Sequence, residues 1–362
     1  MTELTQDQIW MRRAIELARQ GQYSTKPNPN VGCVIVKDGV VVGEGFHPKA
    51  GQPHAEVFAM RQAGEQARGA TAYVTLEPCA HYGRTPPCAK GLVEAGLAKV
   101  IVACPDPNPL VAGKGVQILK DAGIEVKVGI CEDEAHPLNY GFLKAMATGM
   151  PYVRLKIASS LDGHTAMASG ESKWITGVEA RQDVQHWRAI SGAVITGIDT
   201  VLADDCQLNV RSLKEVDDIS TIVQPKRIIL DRQGRLPLTA KVLENPETVM
   251  VMGPYRQELI DLGVTHIEIQ PLKELLQQLV QQHQIYDVLV ESGATLSTAF
   301  LQAGLVDELI SYVAPTLLGQ TARSMFNAEF SRMAEQLRFK LQDVTRVGDD
   351  VRFRLIPSQE TL

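Results

Sequence analysis

Apolar residues recur at helical spacing over 7–20, where Ile9, Trp10, Ala14, Leu17 and Ala18 fall on one stripe. Apolar runs at 31–36 and 40–44 flank Asp38-Gly39 and predict a β-hairpin. His54 opens a predicted helix that runs to about Gln62 and stops near Gly64. A strand at 72–76, a helix at 88–95 ending at Gly96, a strand at 100–103, a helix at 115–122 ending at Gly123 and a strand at 125–130 follow. This alternation predicts a layered α/β domain. A further helix over 133–147 ends at Gly149, and Met150-Pro151 marks the expected boundary between a domain of 1–149 and one of 150–362.

The pattern then restarts. Strands are predicted at 152–158, 193–196, 227–230, 248–252, 266–269, 287–290, 309–313, 340–347 and 350–356, with helical patterns between several of them. Gly348-Asp349 joins the last two as a hairpin. The expectation is a mixed sheet flanked by helices. The halves share no motif, which points to a fusion of unlike domains.

A chain of 362 residues suits two domains. Its net charge of −6 provides no basic field to gather nucleic acid. The first residues carry neither a basic nor an apolar leader, and no stretch reaches the ~20 apolar residues that span a bilayer. A cytoplasmic location with no membrane partner is expected, and six cysteines then read as thiols or metal ligands. Cys33, Cys104, Cys131 and Cys206 lack ligand spacing and are expected to be buried small apolar residues. A homo-oligomer is compatible with all of this.

The chemistry concentrates at His54-Ala55-Glu56, Glu77-Pro78-Cys79 and Cys88. One imidazole and two thiolates can hold Zn²⁺ and leave a fourth position open. Glu56, two residues after His54, is the group expected to move protons beside the metal. His-x-Glu followed by Pro-Cys and a second Cys is the pattern of zinc deaminases acting on nucleobases, although eight residues rather than two separate these cysteines. The competing reading is a four-ligand structural site, for which His81 is the available fourth donor.

The longer spacing belongs to a family. Asn28-Pro29-Asn30-Val31-Gly32, His54-Ala55-Glu56-Val57, Tyr73-Val74-Thr75-Leu76-Glu77-Pro78-Cys79, Gly83-Arg84-Thr85-Pro86-Pro87-Cys88 and Asp106-Pro107-Asn108-Pro109 resemble the deaminase half of the bifunctional RibD family of riboflavin biosynthesis. Leu161-Asp162-Gly163, Ser169 to Thr176, Thr200 to Asp205, Val290-Glu291-Ser292-Gly293 and Ala314 to Gly319 resemble its reductase half. The resemblance implies a cytidine-deaminase-like three-layer domain followed by a dihydrofolate-reductase-like domain. It implies zinc-dependent deamination of 2,5-diamino-6-(5-phosphoribosylamino)pyrimidin-4(3H)-one, then NADPH-dependent reduction of the ribosyl side chain. On the deaminase side it implies zinc at His54, Cys79 and Cys88, catalysis by Glu56, and substrate contacts at Asn28, His47, His81, Arg84, Asp106 and Asn108. Asp106 and Asn108 read equally well as turn residues.

For the reductase half the resemblance implies cofactor contacts at Ala158, Trp174, Thr200, Asp204 and the segment Gly293, Ala294, Thr295, Leu296, Ser297, Thr298 and Ala299. It implies substrate contacts at Ser172, Arg188, Leu208, Arg211 and Glu291, with Lys156 nearby. Read from the residues alone, 291–296 is either a phosphate-binding turn or a plain capped glycine turn. Arg188 and Arg211 suit a phosphate clamp or a solvated surface, and a single tryptophan such as Trp174 is more often core. The alternatives to a bifunctional enzyme are a deaminase of nucleosides or tRNA, and a deaminase joined to a non-catalytic nucleotide-sensing module.

Overall fold

The computed structural model describes residues 4–80 and 87–358, so His81 and Arg84 lie outside the described residues. The chain forms two compact units, Met1–Met150 and Pro151–Leu362.

The first unit contains α1 (Gln6–Arg19), β1 (Gly32–Lys37), β2 (Val40–Phe46), α2 (Ala55–Ala63), β3 (Thr71–Leu76), α3 (Cys88–Glu94), β4 (Lys99–Cys104), α4 (Lys114–Asp121), β5 (Glu125–Val128), α5 (Glu132–Ala135) and α6 (Tyr140–Thr148). Thr5 starts α1 through a reciprocal capping box with Gln8. Asp38 and Gly39 both take positive φ, the geometry of a tight hairpin turn between β1 and β2. The sheet order is β2-β1-β3-β4-β5, with β3, β4 and β5 parallel and β1 antiparallel to both neighbours.

Period-two alternation divides the sheet residues between two cores. Cys33, Ile35, Ala72, Val74, Val100 and Val102 pack in one cluster with Ala55, Ala59, Leu92 and Leu119 of α2, α3 and α4. Val34, Val36, Tyr73, Ile101 and Ala103 pack in the other with Met11, Ala14 and Ile15 of α1. The result is three layers. Each fully buried aliphatic side chain contributes roughly 1.5–3 kcal/mol, so the cores on the two faces hold the sheet rigid under the site.

The single helix expected over 133–147 is instead α5 and α6 separated by a tight helical turn, His136–Asn139. Pro137 lacks an N–H for a continuous helix. Asn139 turns inward, accepting from Asn30 N at 2.7 Å and donating to Asn30 O at 2.9 Å.

The second unit contains β6 (Tyr152–Ser160), β7 (His164–Ala166), α7 (Val178–Ile190), β8 (Ala193–Gly197), α8 (Ile198–Asp204), β9 (Lys226–Leu230), β10 (Val249–Met252), α9 (Gln257–Asp261), β11 (Thr265–Ile267), α10 (Leu272–His283), β12 (Asp287–Glu291), α11 (Ala294–Gln302), β13 (Glu308–Ala314), β14 (Arg323–Ser324), β15 (Phe339–Val347) and β16 (Asp350–Pro357). The main sheet has the order β11-β10-β9-β8-β12-β6-β13-β16-β15. It is parallel from β11 to β13, and the final hairpin adds two antiparallel strands. The pair β7–β14, too short to show periodicity in the sequence, forms a separate ribbon. Trp187 of α7 donates to Tyr312 Oη at 2.9 Å, and Tyr312 donates to Asp183, tying α7 to the sheet.

Among the described residues no helix is long and apolar enough to cross a membrane. Cys33 and Cys104 are buried as expected, whereas Cys131 and Cys206 are only half-buried. Trp174 is 69% exposed and therefore outside the core, which removes the core alternative for this tryptophan.

Candidate active sites

In the first unit the site lies at the carboxyl end of β3. His54 is the N-cap of α2, Cys79 follows β3, and Cys88 is the first residue of α3. Their ligand atoms all lie within 4.8 Å of one another, with His54 Nδ1 3.2 Å from Cys88 Sγ and 3.7 Å from Cys79 Sγ. The Cys79 pKa is lowered because Cys88 donates to it, with His54 and the Cys88 N–H adding support against burial. Cys88 is pushed well up by that same hydrogen bond and by burial. A divalent cation is what allows both sulfurs to ionise, and a set of two thiolates and one imidazole suits zinc. No fourth His, Cys, Asp or Glu joins the cluster among the described residues.

Glu56, on the first turn of α2, is 3% exposed. Its Oε2 is buried and has no hydrogen-bond partner among the described residues. Burial raises its pKa, and the charge of Cys79 adds to this against the opposing pull of His54. A buried oxygen without a partner costs stability, and Glu56 lies against Cys88 of the candidate metal set.

Asn28 and His47 meet beside this cluster. The Pro53 carbonyl can only accept, so His47 Nδ1 carries the proton over 3.1 Å, and Nε2 accepts from Asn28 Nδ2 at 3.0 Å. Burial lowers the His47 pKa, which favours the neutral ring, and the Pro53 carbonyl fixes its tautomer. The His47 and His54 ring centroids are 5.4 Å apart. Asp106 is buried and its Oδ1 accepts from Asn108 N at 2.8 Å, while Asn108 Oδ1 accepts from Leu110 N at 3.0 Å. The turn role considered for both residues is therefore real. Glu77, absent from the sequence-based candidates, is buried behind this loop. Its only sequence signal was its place beside Pro78-Cys79.

In the second unit the candidates gather at the carboxyl ends of the central parallel strands, where α/β sheets bind ligands. Ala158 lies near the end of β6, Thr200 and Asp204 are in α8 after β8, and Glu291 ends β12. Gly293 is the N-cap of α11 without a side-chain cap, and a Cβ there would meet nothing within 4 Å. Gly293 and Thr295 are exposed, and Ala294, Leu296 and Ala299 are half-buried. Ser297 and Thr298 are buried; Ser297 Oγ lies 3.0 Å from Ser292 Oγ, and Thr298 accepts from Asn327 N at 2.8 Å. Ser172 and Lys173 reach Asp204, at 3.4 Å to Oδ1 and 3.1 Å to the backbone oxygen. The Arg181 guanidinium stacks 4.3 Å from the centre of the Trp174 ring.

Arg188 is neither solvated nor free. Its Nε and Nη2 donate to Glu291 at 2.5 and 2.9 Å, and Nη1 donates to Asn209 O at 3.2 Å. Burial would raise the Glu291 pKa, but Arg188, Lys156 and Arg211 outweigh it and hold the carboxyl below its ordinary value. Lys156 is opposite Glu291 in the β6–β12 register, and burial lowers its pKa. Leu208 is buried with a φ of 56°, and Arg211 is exposed, donating to Asn209 Oδ1 at 3.1 Å.

The three-layer fold with this donor set defines a deaminase of the cytidine and deoxycytidylate type in the first unit. The family model described as the cytidine and deoxycytidylate deaminase zinc-binding region matches residues 4–104, and that of the RibD C-terminal domain matches 151–353. The chain is 50% identical over 364 residues to riboflavin biosynthesis protein RibD of Haemophilus influenzae, covering 98% of each. It is 49% identical over 369 residues to that of Escherichia coli, covering 97% of this chain and 99% of the relative. Acinetobacter baumannii RibD, form 1, superposes with a TM-score of 0.97 at 80% identity, covering 99% of this chain and 100% of that one. A Thermotoga maritima structure described as a diaminohydroxyphosphoribosylaminopyrimidine deaminase/5-amino-6-(5-phosphoribosylamino)uracil reductase gives 0.86 at 36%, covering 97% and 99%. The chain belongs to the RibD family, and both folds implied by its motifs are present.

Proposed function

We infer that this enzyme performs two consecutive steps of riboflavin biosynthesis. The first unit hydrolyses the 2-amino group of 2,5-diamino-6-(5-phosphoribosylamino)pyrimidin-4(3H)-one, giving 5-amino-6-(5-phosphoribosylamino)uracil and ammonia. The second unit reduces the ribosyl group of that product to ribityl with NADPH. The observation that carries the reading is the convergence of His54, Cys79 and Cys88 beside the buried Glu56, whose Oε2 has no partner among the described residues.

His54, Cys79 and Cys88 would hold a zinc ion, which when bound would supply the Lewis acid that makes water acidic near neutral pH. Glu56 accepts a proton from the attacking water and delivers protons to the ring and the departing ammonia, as the carbon–nitrogen bond at C2 gives way to carbon–oxygen. The neutral His47 ring, its tautomer set by Pro53, presents Asn28 to the pyrimidine. Asp106 and Asn108 line the rest of the substrate site, to which the family motif also assigns His81 and Arg84.

In the second unit NADPH supplies the hydride. The uncapped first turn of α11 offers backbone N–H groups to its phosphates. Ala158, Thr200, Asp204 and the exposed Trp174–Arg181 stack line the cofactor. Arg188 holds Glu291 against the substrate, and Ser172, Leu208 and Arg211 complete that side, where Arg211 provides the exposed cation for a phosphate. Lys156 lies opposite Glu291. The acidic chain favours small phosphorylated pyrimidines over nucleic acid, and we place the reaction in the cytoplasm.

The test is a coupled assay on the diaminopyrimidine phosphate that follows ammonia release and NADPH oxidation separately. Both signals, in that order, are expected. NADPH binding without oxidation of the supplied intermediate would make the second unit a nucleotide sensor.

A further inference from the structure

Glu77 takes part in none of these steps, yet it is buried two residues before Cys79. Its backbone N–H extends the β3–β4 pairing by donating to Cys104 O at 3.0 Å. Its side chain reaches the segment that follows β4. Oε2 accepts from Gly113 N at 3.1 Å and, at longer range, from Asp106 N at 3.4 Å. Oε1 accepts from Val116 N at 3.1 Å. One carboxylate therefore grips both ends of the 106–113 loop and the first turn of α4.

The loop is ordered internally as well. Asp106 and Asn108 form successive side-chain turns, and the Asn108 carbonyl accepts from Val111 N and Ala112 N at 2.8 and 2.9 Å. The contact with the metal-ligating strand end has no slack. A Cβ on Gly115 would lie 2.0 Å from Pro78 O and 3.2 Å from Glu77 Oε1.

We propose that Glu77 is a positioning residue of the deaminase, fixing the loop that carries Asp106 and Asn108 relative to Cys79. This rests on the reading that the loop touches the substrate. Glutamine at this position would turn one acceptor into a donor facing backbone N–H groups, freeing one end of the loop without removing a metal ligand.

The experiment compares wild type with Glu77→Gln, Asp106→Ala and Asn108→Ala, all as full-length zinc-loaded protein. It measures zinc content, amide hydrogen exchange and the kinetics of ammonia release. In Glu77→Gln, KM is expected to rise about tenfold with kcat held within about twofold. Zinc content stays unchanged, and the Asp106, Gly113 and Val116 amides exchange faster. Should Glu77→Gln fail to fold, Glu77→Asp carries the same readouts. Joint loss of zinc and kcat with KM unmoved overturns the proposal, because Glu77 would then serve Cys79. An unmoved KM in Glu77→Gln alone overturns it too, while leaving the reading of the loop intact. An unmoved KM in both Asp106→Ala and Asn108→Ala overturns that reading instead.

Discussion

Arg188 and Glu291, 103 residues apart, form a buried two-point ion pair at the carboxyl end of β12. Removing one partner leaves the other charged and buried, which costs about 3–5 kcal/mol. Arg188→Met is expected to destabilise the second unit by that order and to abolish NADPH oxidation. Arg188→Met combined with Glu291→Leu recovers most of the stability but none of the oxidation. Denaturant unfolding beside the oxidation assay distinguishes a positioning role from a purely structural one.

Glu56→Gln removes the proton carrier while keeping its shape. Ammonia release is expected to fall by at least ~10²-fold. Zinc content should hold, and NADPH oxidation should persist when the deaminated intermediate is supplied. Equal loss of both activities would show that the two units do not work independently.

Chelation of the metal should remove ammonia release, restore it on adding zinc, and leave oxidation of the supplied intermediate intact. Cys88→Ser should lower zinc content, since the hydroxyl replaces a thiolate in a set that depends on soft donors. Metal analysis of the two proteins checks this.

Gly43 on β2 faces the backbone of α2, and a Cβ there would sit 2.1 Å from Ala59 O. Gly43→Ala must push away the helix that His54 caps and whose first turn holds Glu56. A stability loss of about 1–3 kcal/mol is expected. Weaker zinc retention, measured by competition with a chromophoric chelator, should accompany it.

Asp162 accepts from Ser160 Oγ at 2.5 Å and from Gly319 N and Leu318 N at 2.8 and 3.1 Å. These bonds, the Ser160 one foremost and with His164 adding to them, hold its pKa well below the ordinary 3.8. The folded state thus binds fewer protons than the unfolded one in this window, and stability rises with pH. The contribution is complete above 3.8 and is lost as pH falls through the folded-state value. Asp162→Asn should therefore be less stable than wild type at neutral pH, with the gap narrowing in acid. Unfolding curves at both pH values measure it.

The elements legible in the sequence are those with local causes. The hairpin at Asp38-Gly39 is set by two adjacent residues that tolerate positive φ. The helix starting at His54 and the strand before Cys79 follow from short apolar periods, so the approximate places of the candidate zinc donors could be read in advance. The helix over 133–147 failed because periodicity continues through Pro137 while hydrogen bonding does not, and because Asn139 answers to Asn30, 109 residues away. For Arg188 and Trp174 the structure removes the bland alternatives: the charge is buried rather than solvated, and the indole is exposed rather than in the core.

The sequence by itself determined the two-domain α/β plan and singled out three candidate metal donors with an acid beside them, because each rests on residue type and short spacing. Only the tertiary structure decided how those donors converge, which oxygen of Glu56 has no partner among the described residues, and that Glu77 and Arg188 spend their hydrogen bonds holding other groups in place. The physical reason is that such contacts join segments far apart in the chain. Burial there fixes both partner and charge, and no local pattern records it.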